Sequence, residues 1–166
     1  MRIGLAVFIV FAICTASTPS FVKVNEAKMM EPTEKLNPDM LNLVNEYRRR
    51  GCNCGNRYMP PAPALRWNDK IEQAALRHAT DMKRHTNYSH RGTDRSQPDS
   101  RLDQAGYEWS AVAENIAWGY YDFKSVLIGW MKSPSHCKNI MSTKFTEFGA
   151  ARFGDCWVQD FAKPLK

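Results

Sequence analysis

Beyond Ala16 the chain has no uncharged apolar run long enough to cross a bilayer, so a membrane-spanning helix is not expected in the rest of it. It has no internal repeat and no low-complexity tract, which excludes solenoids and coiled coils. It carries neither a glycine-rich phosphate loop nor a dinucleotide fingerprint, and no G-x-S-x-G elbow for a serine nucleophile. Histidine is scarce, at 4 residues in 166, and no two of the candidate ligands described below stand four apart on one helix, as metalloprotease histidines do. Basic residues are scattered apart from Arg48-Arg49-Arg50, which reads as a solvated helix end; no nucleic-acid partner is expected despite a net charge of +6.

The first residues do have an apolar run. Met1-Arg2 gives a positive start, Ile3 to Ile13 is uncharged, and small residues follow at Cys14, Ala16 and Ser17. Residues 1–18 therefore read as a signal peptide, with a polar, flexible lead over 19–36. Cys14 could suggest a lipoprotein cysteine, but a bulky Ile13 precedes it. The expected product is exported, either secreted or periplasmic, and loss of Arg2 would lower its net charge to +5.

Four cysteines would remain: Cys52, Cys54, Cys137 and Cys156. An even count in an exported chain suggests disulfides. A Cys52–Cys54 bond would close a small, strained ring, so the expected bridges run from that pair to Cys137 and Cys156, with the pairing open. A zinc site made from all four is the rival reading.

Asn37-Pro38-Asp39 opens a first helix, whose apolar positions are Met40, Leu41, Val44 and Tyr47; Gly51 ends it. Cys52 to Ala64 reads as a loop, since its Gly, Asn and Pro residues interrupt regular structure. Asn68 caps a second helix with an inner stripe of Ile71, Ala74, Ala75, His78 and Met82. On that stripe His78 reads as a hydrogen-bonded core residue, and His85 as exposed. A short helix is predicted near Arg101 to Ala105. Asp122 caps a helix with apolar Phe123, Val126, Leu127, Trp130 and Met131, stopped at Ser133-Pro134. Phe145–Phe153 and Cys156–Phe161 flank Gly154-Asp155, a two-residue hairpin signal.

His90, Glu114, His136 and Glu147 carry the possible chemistry. His90 lies on a turn. Glu114 is an acid inside the apolar run Ala113 to Ala117, costly to bury alone. Two imidazoles and two carboxylates could hold zinc or another divalent cation, or act as a His/Glu acid–base pair. Cys137 follows His136, but neighbours in sequence point apart, so Cys137 reads as a disulfide partner and not as a nucleophile.

Taken together, Leu43-Val44-Asn45-Glu46-Tyr47-Arg48, Leu65-Arg66-Trp67-Asn68, Ser89-His90, Ala113-Glu114-Asn115-Ile116-Ala117, Gly129-Trp130, Ser133-Pro134-Ser135-His136-Cys137-Lys138-Asn139-Ile140, Phe145-Thr146-Glu147-Phe148-Gly149 and Trp157-Val158-Gln159 resemble the CAP superfamily of cysteine-rich secretory, antigen 5 and pathogenesis-related 1 proteins (SCP domains), and most of all its bacterial single-domain branch. The resemblance covers about residues 37–164. It implies an α+β fold, a three-layer α–β–α sandwich around a small, mainly antiparallel sheet. It further implies a central cavity lined by His90 and Glu114, with His136 and Glu147 as the bacterial counterparts of the remaining pair. In animal and plant members a cavity histidine opens a His-aromatic-Thr-Gln strand; here Cys156-Trp157-Val158-Gln159 stands in that place, so Cys156 is expected to replace it. Such a protein is expected to be a non-enzymatic binding module for a metal, a lipid or sterol, or a surface partner. The alternative is a metal-dependent hydrolase, such as a peptidase, using His90 with Glu114 or Glu147 to activate water.

Overall fold

A computed structural model describes residues 37–166. The readings made for residues 1–36, namely the signal peptide, the lead and Cys14, lie outside the described residues. In order, the elements are α1 (Asn37–Arg50), β1 (Cys52–Cys54), β2 (Arg57–Met59), β3 (Arg66–Trp67), α2 (Asp69–His85), α3 (Pro98–Gln104), β4 (Trp109–Trp118), α4 (Phe123–Lys132), α5 (Pro134–Met141), β5 (Glu147–Phe153) and β6 (Cys156–Pro164).

Four strands form the central sheet in the order β3-β5-β6-β4. β3 runs parallel to β5, and the other two pairings are antiparallel. The predicted hairpin joins β5 to β6 through Gly154-Asp155, with Phe153 opposite Cys156 and Gly154 at φ 62°. Alternation along the strands divides the core in two. Ile116, Ala151, Phe153, Cys156 and Val158 face α2, where Ala75, Ala79 and Met82 meet them. Ala117, Phe148, Ala150, Trp157 and Phe161 face the other way and pack on residues of α1, α4 and α5. The result is the helix–sheet–helix sandwich.

Local chemistry places the helices. The Asn68 side chain accepts a hydrogen bond from the Lys70 N–H and starts α2, and Asp122 does the same for α4 through Ser125. Ser133 ends α4, and Pro134 begins α5 directly after it. At Gly149 an added Cβ would stand 2.2 Å from the Glu72 amide nitrogen, so this glycine lets the first turn of α2 lie against the sheet.

Two expectations are corrected, and one open segment is assigned. Residues 52–64 are not all loop, because β1 and β2 pair as a small hairpin. Arg48 is not solvated: it is fully buried and donates to the carbonyls of Pro63, Ile140 and Ser142, and burial lowers its pKa to about 10. The run containing Glu114 is part of a ten-residue strand, β4, at the sheet edge.

Among the cysteines, Cys54 and Cys137 form a disulfide, while Cys52 and Cys156 are free. The second expected bridge does not form, because the pleat turns Cys156 toward α2 whereas Cys54 and Cys137 lie in the core on the opposite face. That separation also rules out a zinc site built from all four sulfurs.

Candidate functional site

β4 presents alternate residues to α2, and Glu114 is one of them. Its register partner on β6 is Asp160, so two carboxylates stand side by side under α2. The Glu114 side chain is only 1% exposed. One of its oxygens lies 2.7 Å from His90 Nδ1, and the other accepts from Arg101 Nη2 at 2.5 Å. Arg101, carried by α3, is itself buried and also donates to the carbonyls of His90 and Ser96. One guanidinium thus holds both the carboxylate and the backbone of the loop that presents His90. From α2, His78 Nε2 donates to the Ser89 carbonyl at 2.8 Å and lies 3.9 Å from Glu114. His78 is thereby the bonded core residue expected from its stripe, and burial lowers its pKa. His85 is exposed, also as expected, and pairs with Asp81.

The His90 side chain is 52% exposed and caps this buried set. His136, on α5, stands close enough for the charge of His90 to act on its imidazole. Asn139 on α5 donates to the Glu114 carbonyl and to Asn115 Oδ1, while Asn115 donates to the His136 carbonyl, so α5 is clipped along β4. Burial first, and then the neighbouring His90, hold the His136 imidazole below its ordinary pKa.

The structure therefore brings together His90, Glu114 and the neighbourhood of His136. It does not bring Glu147 to them. Glu147 begins β5 and accepts hydrogen bonds from Arg66 (3.0 Å), Asn68 (2.9 Å) and Tyr107 (2.8 Å). It faces a hollow of about 720 Å³ lined by Trp67, Asn68, Lys70, Tyr107 and Leu165. The four-residue set expected from sequence is thus divided between two places. Cys156 does not stand in for a cavity histidine either; it pairs with Trp118, four positions along β4 from Glu114, and is buried among apolar residues of α2.

Two members of the buried set were missed. Asp160 could have been read from sequence, since an acid inside the apolar run Trp157 to Phe161 is the same signal that marked Glu114. Arg101 gave no such signal. Asp160 is fully buried, no N–H group reaches either of its oxygens, and its carboxyl lies within hydrogen-bonding reach of Glu114. Burial first, and then the charge of Glu114, raise its pKa well above the usual carboxylate range.

A divalent cation does not fit the His/Glu set. Both Glu114 oxygens are engaged, and the adjacent guanidinium already supplies the positive charge a metal would bring. Among the described residues, the His, Cys, Asp or Glu ligand atoms that gather in threes within 4.8 Å are the sulfurs of Cys52, Cys54 and Cys137, two of which are bonded to each other.

Tyr88, two residues before His90, is part of an exposed aromatic pair. The rings of Tyr88 and Trp118 stack with centroids 4.6 Å apart and planes 12° from parallel. Both are exposed, and Tyr121 is 89% exposed. Among the described residues no helix is long and apolar enough to cross a membrane.

Comparison with known proteins gives the same architecture. The family profile described as "CAP: Cysteine-rich secretory protein family" matches residues 41–161. Uncharacterized protein YkwD of Bacillus subtilis (strain 168) is 27% identical over 149 residues, which cover 89% of this chain and 50% of YkwD. An extracellular protein containing an SCP domain from Bacillus anthracis str. Ames superposes with a TM-score of 0.67 at 26% identity, over 89% of this chain and 44% of its own. An outer surface protein from Borrelia burgdorferi superposes with a TM-score of 0.68 at 19% identity, over 82% of this chain and 99% of its own, a likeness of fold. The chain spans half or less of the length of the curated relatives it matches, 29% of one and 50% of the other.

Proposed function

The chain belongs to the cysteine-rich secretory protein (CAP) family, and on that footing we propose that it is an exported, non-enzymatic binding module whose contact face surrounds His90. The carrying observation is the pairing of Glu114 with Arg101: the carboxylate nearest the exposed imidazole is buried and already neutralised. A hydrolase working through His90 and Glu114 needs that carboxylate free to take a proton from water. Here it serves to fix the loop and ring of His90 instead. Glu147, the other candidate base, is held by three donors away from His90.

What remains at the surface is a half-exposed imidazole, the stacked pair of Trp118 and Tyr88 (two residues before His90 in sequence), and an exposed Tyr121. Aromatic side chains with a polar atom suit a boundary between apolar and wet surroundings. The chain is basic, with a pI near 9.1, which favours anionic surfaces. The ligand class these features support best is a lipid surface carrying negative headgroups. The bacterial relatives described as extracellular or outer surface proteins fit such a setting.

The test is co-sedimentation with vesicles of phosphatidylcholine, with and without phosphatidylglycerol. Binding is expected to the anionic vesicles, to fall with salt, and to drop in a Tyr88→Ala/Trp118→Ala variant of unchanged thermal stability. Absence of binding to every vesicle, together with peptide turnover that Glu114→Gln abolishes, would replace this reading with the hydrolase. Absence of both would point to a protein partner.

A further inference from the structure

Away from the His90 face, the three sulfurs of Cys52, Cys54 and Cys137 lie within 4.8 Å of one another. Residues two apart on a strand share a face, so β1 offers both Cys52 and Cys54 to Cys137 on α5. Cys54 holds the bond, and both bonded cysteines are 0% exposed. Cys52 retains its thiol, is only partly buried, and has its sulfur 3.8 Å from that of Cys137. A thiol touching a disulfide sulfur is the reactant pair of thiol–disulfide exchange.

We propose that Cys52, Cys54 and Cys137 form one exchange centre in which Cys52 displaces Cys54 as the partner of Cys137, and through which a low-molecular-weight thiol reaches a bridge sealed from direct attack. Cys52 gives its proton to solvent, and its thiolate attacks Cys137 Sγ. The Cys52–Cys137 bond forms, the Cys54–Cys137 bond breaks, and the electron pair leaves on Cys54, which takes up a proton; nothing is oxidised or reduced overall. In the exchanged form the bond ends at Cys52, the more accessible residue. An external thiolate attacks Cys52 Sγ, giving a mixed disulfide at Cys52 and releasing Cys137 as a thiol. A second external thiol attacks the small-molecule sulfur, restores the Cys52 thiol and departs as the oxidised dimer. The bridge has then gained two electrons and two protons, supplied by two external thiols.

Burial raises the Cys52 thiol above its ordinary pKa, so thiolate is scarce and the exchange is slow at rest. The alternative pairing leaves the fold's anchors unchanged, because Cys137 and β1 are common to both forms. Cys156, on the other face of the sheet, takes no part and serves as an internal standard.

The experiment incubates the purified, oxidised protein with reduced glutathione at about pH 8, alkylates it, digests it without reduction and maps the linked peptides by mass spectrometry. Cys52–Cys137 peptides with alkylated Cys54 are expected in the wild type. Loss of the bridge is expected to be slower by about tenfold or more in Cys52→Ser, since the sealed sulfurs then lack their relay. Cys54→Ser is expected to form Cys52–Cys137 and keep its thermal midpoint; should it not fold, the wild-type and Cys52→Ser rates decide alone. Equal rates in those two proteins, or Cys54–Cys137 as the only linkage at every time point, would overturn the proposal.

Discussion

Glu114 and Glu147 stand on the same face of one sheet, two strands apart and two residues out of register, and do different work. Glu114 is enclosed between β4, α2 and α3, held by a buried arginine and carrying an imidazole on its outer side. Glu147 sits at the rim beside an open hollow and gathers Arg66, Asn68 and Tyr107, which belong to β3, the cap of α2 and the segment before β4. The first arrangement positions a surface group through a buried charge; the second ties chain segments together. Residue type alone does not separate the two roles. What separates them is whether the neighbouring arginine is itself sealed: Arg101 is 1% exposed at its side chain, whereas Arg66 is 74% exposed.

The heaviest loss is expected at the sealed site. Arg101→Met leaves Glu114 without its guanidinium and removes the side-chain hydrogen bonds to the carbonyls of His90 and Ser96, the latter still served by the Gly92 N–H, at a cost of about 3–5 kcal/mol in urea unfolding. Arg66→Met, in water, is expected to cost less than about 1 kcal/mol. Equal costs would end the contrast drawn here.

The double variant Arg101→Met/Glu114→Met separates charge from hydrogen bonding at that site. Replacing both charges with apolar groups of similar size is expected to recover most of the loss, to within roughly 1–2 kcal/mol of wild type. A double variant as unstable as Arg101→Met would show that the loop hydrogen bonds dominate instead of the charge.

The two sites also respond oppositely to pH. Burial pushes Glu147 up, but its hydrogen bonds from Tyr107, Arg66 and Asn68 pull it further down, and its net pKa lies below the ordinary 4.5. Its stabilisation is present above the unfolded value and lost as pH falls through the folded one. Asp160 lies well above its ordinary 3.8, so its protonated form favours folding at low pH and that contribution fades as pH rises through the folded value. Urea midpoints from about pH 3 to about pH 8 should show Glu147→Gln flattening the acid limb and Asp160→Asn flattening the decline toward neutral pH. Curves for Asp160→Asn that run parallel to wild type would refute the assignment of a buried proton.

Zinc is expected to do least. With Glu114 held by Arg101, micromolar zinc should leave the thermal midpoint of the oxidised protein unchanged, and calorimetry should detect no tight site. A stoichiometric heat lost in Glu114→Gln would show that the guanidinium yields to the metal.

Much of this was legible in the residues. Caps at Asn68 and Asp122, the stop at Ser133-Pro134 and the Gly154-Asp155 turn are local effects of one or two side chains on the adjoining backbone, and each holds in the structure. β4 was not legible as a strand, because its mixed pattern acquires meaning only against β6 on one edge and the side chains of α4 and α5 on the other. Arg48 was misread for a similar reason: its run looks solvated until the carbonyls of Ile140 and Ser142, over ninety residues away, are seen to meet it.

Residue order was enough to establish the longer helices and their caps, the closing hairpin, and the type of group able to do chemistry, because capping, turn geometry and side-chain identity act over a few residues. Which of those groups meet was set by the folded chain. Folding parted Glu147 from Glu114, put Asp160 and Arg101 beside the latter, and turned Cys156 away from Cys54 and Cys137. Strand register and the pleat assign each side chain to a face, and burial on that face fixes its charge; neither can be read before the strands are paired.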